Sequence, residues 1–535
     1  MIQDGKILMG KSEEGMQAVL YPKMANRHGL IAGATGSGKT VSLKVMAEGF
    51  SSLGVPVFLS DVKGDISGMA QAGTENENVR SRIDGMGLKD FSFQAFPVTF
   101  WDVYGKTGIP LRTTVSEMGP LLLARILGLS DVQSDILTVI FKIADDENLL
   151  LIDTKDLKSM IAYVSEKSKE YEASYGKMSG QSLAAITRSV VALEAEGGEQ
   201  FFGEPALSVT DWFSVDASGR GMMHILDASS LIHSPKLYAT FLLWMLSELF
   251  ELLPEVGDLD KPKMIFFFDE AHLLFADAPK VLLEKIEQVV KLVRSKGVGI
   301  YFCTQNPADI PGGILSQLGN KVEHALHAYS PAEQKGVRTA AQSYPVNPAF
   351  DTYEAIMSLG TGEAVVSFLG EDGVPSQAEK VTILPPQSSM AAADAAVRDG
   401  NVKASLLYTK YATAVDADSA YEFLQRRGME KAEAEAGAKQ AAADAKAAEK
   451  ERIAAEKAAE KERLAAEKAA QREAEKQARA KKQAVKSVGN TVAGTVGREI
   501  GKQVGKNMGS FGKQLGGNVG ASIGRGLLST LLKMQ

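Results

Sequence analysis

Gly33-Ala34-Thr35-Gly36-Ser37-Gly38-Lys39-Thr40 reads G-x-x-x-x-G-K-T. The apolar run Gly29-Leu30-Ile31-Ala32 before it predicts a buried strand, and Val41 to Glu48 after it predicts a helix. Strand, glycine-rich turn and helix in that order make a phosphate-binding loop. Glycines let the backbone curl until several N–H groups face one anion, and the helix start adds partial positive charge. Gly33, Thr35, Gly36, Ser37, Gly38, Lys39, Thr40 and Val41 are the expected lining. Lys39 would reach the β/γ-phosphates and the Thr40 hydroxyl would ligate Mg²⁺. The stretch thus predicts an α/β fold that binds a nucleoside triphosphate and Mg²⁺.

Working outward, Val55-Pro56-Val57-Phe58-Leu59-Ser60 predicts a second strand, ending in the charged Asp61-Val62-Lys63-Gly64-Asp65. Charges at a strand's carboxyl end face the ligand in open α/β sheets. Residues 66–260 are mostly helical in pattern and read as a helical insertion, with at least one strand at 221–227. Continuous apolar runs at 263–268, 298–303 and 363–369 predict central strands. Strands alternating with helices predict a parallel central sheet covered on both faces. Residues 1–28 predict a small hairpin leading into the loop strand.

The strand expected over 263–268 ends in Asp269-Glu270-Ala271-His272. An acid at that strand end would hold Mg²⁺, directly or through water, which makes Asp269 the expected metal partner beside Thr40. Glu270, one residue on, would orient and deprotonate the attacking water, so the pair implies hydrolysis. His272 reads as structural. The next strand ends in Cys303-Thr304-Gln305-Asn306-Pro307, and Gln305 is the expected γ-phosphate sensor. Phosphoryl transfer also calls for a positive charge late in the reaction. Arg294, Lys296, Lys321 and Arg338 are candidates, supplied by a neighbouring subunit.

After about residue 385 the composition changes. Pro385-Pro386-Gln387-Ser388-Ser389 signals a linker, so the core is expected over 1–385 and a linker with helices over 386–429. Residues 430–485 are nearly all Ala, Glu, Lys, Gln and Arg, and AAEKERIAAEK (447–457) recurs as AAEKERLAAEK (458–468). An 11-residue period fits a straight helix or a weak right-handed supercoil. A solvated spacer helix and a coiled coil or helical partner site both satisfy it. The basic tail over 486–535 carries Gly497, Gly501, Gly505 and Gly509, then Gly512, Gly516, Gly520 and Gly524. Glycine at helical spacing suggests small-xxx-small packing. The tail resembles glycine zippers. Self-association or docking, a membrane surface, and a disordered basic tail are the readings it leaves.

The 535-residue chain has a net charge of −7, which excludes a protein that coats nucleic acid over its whole surface. The single cysteine, Cys303, excludes an internal disulfide and fits a reducing compartment. The N-terminus lacks a basic-then-apolar signal pattern, and through residue 485 no 18-residue apolar run suggests a membrane span. The expectation is a cytoplasmic protein, with peripheral membrane contact as an alternative for the tail.

Four pieces together resemble the HerA/FtsK superfamily of P-loop motors, in particular bacterial HerA-like helicase-domain proteins. They are Arg27-His28-Gly29-Leu30-Ile31 with the loop, Phe268-Asp269-Glu270-Ala271-His272, Arg294-Ser295-Lys296-Gly297-Val298-Gly299, and Thr304-Gln305-Asn306-Pro307 with Ile310-Pro311. The resemblance covers about residues 1–385. It implies a RecA-like core, a hexameric ring, ATP hydrolysis between subunits and translocation of duplex DNA through the pore. Residues 1–28 leave no room before the loop for the N-terminal β-barrel of the family's archaeal helicases. Where the family often has a trans-acting Arg after the sensor strand, Gly319-Asn320 is followed here by Lys321.

Overall fold

The computed structural model describes residues 1–231, 234–275 and 280–483. The glycine-spaced tail lies outside them. Among the described residues thirteen strands form one sheet. In chain order they are β1 (Ile2–Gln3), β2 (Lys6–Lys11), β3 (Gln17–Leu20), β4 (Gly29–Ala32), β5 (Val57–Asp61), β6 (Val98–Asp102) and β7 (Ile109–Pro110). Then come β8 (Met223–Asp227), β9 (Met264–Phe268), β10 (Val298–Thr304), β11 (Asn320–Glu323), β12 (Glu363–Ser367) and β13 (Glu379–Ile383). The spatial order is β1-β2-β13-β12-β11-β4-β10-β9-β5-β8-β6-β7, with β3 also on β2.

From β11 to β7 every pairing is parallel. From β11 towards β1 every pairing is antiparallel. The sheet is therefore mixed, with the expected parallel block extended at one end by antiparallel strands. The 66–260 region is helical between strands, but it feeds β6, β7 and β8 into the same sheet.

The central strands are apolar on both faces because both are covered. Leu30, Phe58, Phe266, Phe268 and Phe302 join one core. Their neighbours Ile31, Val57, Leu59, Phe267 and Tyr301 join the other. This is the period-two alternation of a strand buried twice. The first core packs under the helix Pro235–Leu252, and Phe58 stacks on Trp212 at 4.8 Å. The second packs under the helix Lys39–Ser52. A smaller core lies under the helices Pro331–Gln342 and Thr352–Ser358.

Residues 386–431 fall within the compact unit Met1–Lys431. The carboxylate of Glu48, buried on the helix Lys39–Ser52, accepts from the backbone N–H of Gln387 at 2.8 Å and of Ser388 at 3.0 Å. Lys44 Nζ donates to the Ser389 carbonyl at 2.7 Å. Further along, Arg398 pairs with Asp227 at 2.6 Å and the Ser419 hydroxyl reaches Asp156 at 2.5 Å. The second unit begins at Ala432 and is helical as far as Gln483. Its Ala, Glu, Lys and Arg residues are strong helix formers, and its described side chains, Ile453 and Leu464 included, are exposed. Among the described residues no helix is long and apolar enough to cross a membrane.

On β11, Glu323 is fully buried and neither carboxylate oxygen has a hydrogen-bond partner. Burial pushes its pKa up to about 8, against the opposing charge of Lys321. The folded chain thus keeps a proton that the unfolded chain releases near the ordinary glutamate value. Stability falls as pH rises from about 4.5 to about 8, by at most about 1.4 kcal/mol per pH unit for one proton. Glu323→Gln has no such proton to lose. The thermal midpoint of wild type is expected to drop more between pH 5.5 and pH 8 than that of the variant.

Candidate nucleotide site at the carboxyl edge of the parallel strands

The loop after β4 takes the conformation that its glycines permit. Gly33, Gly36 and Gly38 have φ of 146°, 78° and 117°. A Cβ on Gly33 would sit 2.5 Å from His324 Cβ, and one on Gly38 would sit 3.1 Å from Gly362 Cα. The loop is thus braced by the end of β11 and by the turn before β12. Ala34 N–H donates to the Ala325 carbonyl at 2.7 Å, and Gly362 N–H donates to the Ser37 carbonyl at 2.9 Å. His324 Nδ1 lies 2.8 Å from the Glu363 carbonyl and so must donate, leaving Nε2 to accept from the Ser42 hydroxyl at 2.8 Å. Burial holds this imidazole down to about 4, so it is neutral.

The first intrahelical bond of the following helix is Ser42 N–H to Gly38 O. The N–H groups of Lys39, Thr40 and Val41 are therefore free of helix partners, as an anion site at a helix start requires. Lys39 Nζ bends back to donate to the carbonyls of Gly33 at 2.5 Å and Ala34 at 3.0 Å. Burial, then the charge of Lys63, lowers its pKa.

Parallel pairing brings the acidic strand end and the sensor strand to this loop. The Thr35 hydroxyl donates to Gln305 Oε1 at 3.2 Å. Gln305 Nε2 in turn donates to both oxygens of Glu270 at 3.2 Å. Glu270 is buried on a left-handed backbone with φ of 48°, a conformation that a non-glycine residue holds only under local constraint. Burial raises its pKa, but the hydrogen bond and charge of Lys63, with Gln305, outweigh burial and hold it below the ordinary value. Lys63 Nζ stands 3.0 Å from Glu270 Oε1, and His272 Nδ1 stands 3.4 Å from Oε2. His272 therefore touches the site.

Asp269 is pushed up to about 7, first by burial and then by the charge of Glu270. A carboxylate so disfavoured as an anion gains from a cation, and the Thr40 hydroxyl makes no hydrogen bond among the described residues. This donor set fits Mg²⁺, which binds through one or two protein oxygens plus phosphate and water. Among the described residues no cluster of three or more His, Cys, Asp or Glu forms a metal cage.

A cavity of about 520 Å³ opens beside the loop, lined by Thr35, Gln305, Asn306, His327, Glu333 and Lys335 among others. A larger cleft of about 760 Å³ lies elsewhere, walled by Glu13, Glu14, Asp351, Glu354 and Glu379, which repel a phosphate.

The four candidate cations do not touch the Glu270 cluster within one chain. Arg294 and Lys296 lie just before β10, at the amino end of the parallel strands and so at the edge opposite the loop. Arg338 is exposed and lies over the Tyr353 ring at 4.7 Å. Lys321 is committed internally, donating to the Ser343 carbonyl at 2.9 Å. The sequence marked the loop at Lys63 as charged but gave that residue no role, because its contact with Glu270 depends on how β5 and β9 align.

The Asp269 backbone is fixed by its own network. Its N–H donates to Ser60 Oγ at 3.0 Å, its carbonyl accepts from the Tyr238 hydroxyl at 3.0 Å, and that hydroxyl lies 2.7 Å from Ser60 Oγ. Tyr238→Phe keeps the ring in its core but leaves the Asp269 carbonyl unpaired. Urea denaturation is expected to show a loss of about 1 kcal/mol, the ordinary worth of such a bond.

The helicase HerA-like C-terminal family matches residues 6–515. A probable helicase of Methanocaldococcus jannaschii is 30% identical over 116 residues, a stretch that spans 21% of this chain and 20% of that protein. Among solved structures, the unbound bacterial conjugative coupling protein TrwB is 13% identical, covering 74% of this chain and 92% of that one, with a TM-score of 0.48. TrwB with ADP and Mg²⁺ is 15% identical, covering 70% and 88%, at 0.47. VirB4 of Thermoanaerobacter pseudethanolicus is 14% identical, covering 71% and 97%, at 0.46. With its family matched across nearly the whole length, the chain belongs to the helicase HerA-like C-terminal family.

Proposed function

We propose that the chain is an ATP-hydrolysing motor that works as a ring of identical subunits, six in number, on duplex DNA in the cytoplasm. The observation that carries the reading is the line Thr35–Gln305–Glu270, which joins the phosphate loop to a buried base by hydrogen bonds. Lys39 and the N–H groups from Gly36 to Val41 hold the β- and γ-phosphates. Thr40 and Asp269 would hold Mg²⁺, which neutralises charge on the phosphate oxygens when bound. Glu270 takes a proton from water as the water oxygen bonds to the γ-phosphorus. The bond from that phosphorus to the β–γ bridging oxygen breaks, and its electron pair leaves with ADP. Gln305 holds both Glu270 and the loop and so links the base to the state of the γ-phosphate.

The ring supplies what one chain lacks. Arg294, at the edge opposite the phosphate loop, would meet a neighbour's loop in a head-to-tail ring, and Arg338 is the second candidate. Duplex DNA as the substrate rests on membership of a helicase family. The long exposed helix from Ala432 favours a second reading, in which ATP regulates an assembly or a membrane-surface contact without moving DNA.

ATPase rates with and without duplex DNA separate the two readings. A rise with DNA is expected; a rate that ignores DNA favours the assembly reading. Lys39→Ala is expected to abolish turnover and weaken ATP binding at least tenfold. Glu270→Gln is expected to retain ATP binding and turn over about 10²–10⁴-fold more slowly, the size of a lost general base. A wild-type rate in Glu270→Gln would refute the catalytic assignment. Light scattering with a non-hydrolysable ATP analogue is expected to report a ring, and a strictly monomeric chain with full ATPase activity would refute the trans-acting cation.

A further inference from the structure

Lys63 is a cation at the mouth of the phosphate loop that the reading above leaves without a task. The loop that carries it is shaped by Asp61, whose carboxylate accepts from Gly64 N–H at 2.7 Å and Ser67 N–H at 3.0 Å. Its ammonium sits 3.0 Å from Glu270 Oε1. It also lies near enough to Lys39 and Asp269 for their charges to be felt mutually.

This contact is at odds with the work of a general base. A carboxylate that takes a proton from water must present a free lone pair to that water. Glu270 instead meets Lys63 on Oε1 and Gln305 on both oxygens, with His272 beside Oε2. The two partners of the ion pair differ in freedom. The Glu270 side chain is 7% exposed on a constrained backbone, whereas the Lys63 side chain is 41% exposed on a four-carbon stem. If the pair opens, Lys63 is the one that moves. An arriving triphosphate brings to the same mouth a denser negative charge than one carboxylate.

We propose that Lys63 is a second phosphate-reading lysine: it caps Glu270 in this structure and transfers to the γ-phosphate when a nucleoside triphosphate binds, leaving Glu270 to the water. The proposal rests on the ATP-hydrolysing reading of the site. It gives the site a means of telling a triphosphate from a diphosphate. ADP offers no γ-phosphate, so Lys63 stays on Glu270 and the base stays capped. Lys63 is a positioning residue towards Glu270 and a binding residue towards the γ-phosphate.

The test is equilibrium binding of AMP-PNP and of ADP, each with Mg²⁺, to the full chain and to Lys63→Met, Lys63→Arg and Glu270→Gln. Lys63→Met is expected to weaken AMP-PNP about tenfold, the size of one charge-assisted hydrogen bond, and to leave ADP within about twofold. Lys63→Arg keeps the charge and is expected to recover most of the AMP-PNP affinity. Glu270→Gln has no ion pair to break and is expected to bind AMP-PNP several-fold tighter than wild type, with ADP unchanged. Equal losses for AMP-PNP and ADP in Lys63→Met would make Lys63 a structural residue and overturn the proposal. So would unchanged AMP-PNP affinity in both Lys63→Met and Glu270→Gln. A wild-type chain that binds neither nucleotide would overturn the ATP reading itself, whereas one that binds both and hydrolyses ATP leaves Lys63 judged on its own variants.

Discussion

The hydrogen-bond register of four parallel strands, β5, β9, β10 and β4, governs the chemistry of this molecule. Leu59 pairs with Phe267, Phe268 with Phe302, and Thr304 with Ala32. All four carboxyl ends therefore finish at one edge. Within a few residues of those ends the chain places Lys63, Glu270, Gln305 and the phosphate loop. No two of these groups are close in sequence except through that register. A slip of one residue in any strand would turn its side chains to the other face. The two apolar cores hold the register, because each strand buries alternate residues in both.

The same edge concentrates charge in a place that disfavours it. Burial raises Asp269 to about 7 and lowers Lys39, while Lys63 keeps Glu270 ionised. Asp61 at the end of β5 is likewise raised to about 6, first by burial and then by Asp65. At neutral pH the shifts of Asp269, Lys39 and Asp61 oppose folding while that of Glu270 favours it, and a ligand that brings both negative phosphate and a cation would ease those of Lys39 and Asp269. The site is thus electrostatically matched to a metal–phosphate pair more than to either part alone, as strongly perturbed groups in a cleft suggest. The neutral His324 behind the loop adds no competing charge and acts as a rigid strut.

Much of this was legible in the sequence, and what escaped has a common cause. The G-x-x-x-x-G-K-T loop, the apolar strand ahead of Asp269-Glu270 and the strand ahead of Gln305 are contiguous signals, and the elements fall where those signals lie. β6 escaped, because Val98-Thr99-Phe100-Trp101-Asp102 is a short run with no alternation to separate strand from buried helix. The segment from Pro386 read as a linker because of its Pro and Ser content. It is held by backbone groups, the N–H groups of Gln387 and Ser388 on Glu48 and the carbonyl of Ser389 on Lys44, and composition says nothing of those. Likewise Lys63 acquires meaning only from the alignment of β5 with β9. The left-handed backbone of Glu270 carries no glycine or asparagine to announce it.

In the proposed reaction Gln305 and Glu270 act as one hydrogen-bonded unit on the γ-phosphate. A double-mutant cycle on single-turnover ATP hydrolysis tests it most directly, comparing wild type, Gln305→Ala, Glu270→Gln and the double variant. Residues that act as a unit are strongly non-additive. The double variant is then expected to be no slower than Glu270→Gln alone. A double variant slowed by the product of the two single effects would contradict it.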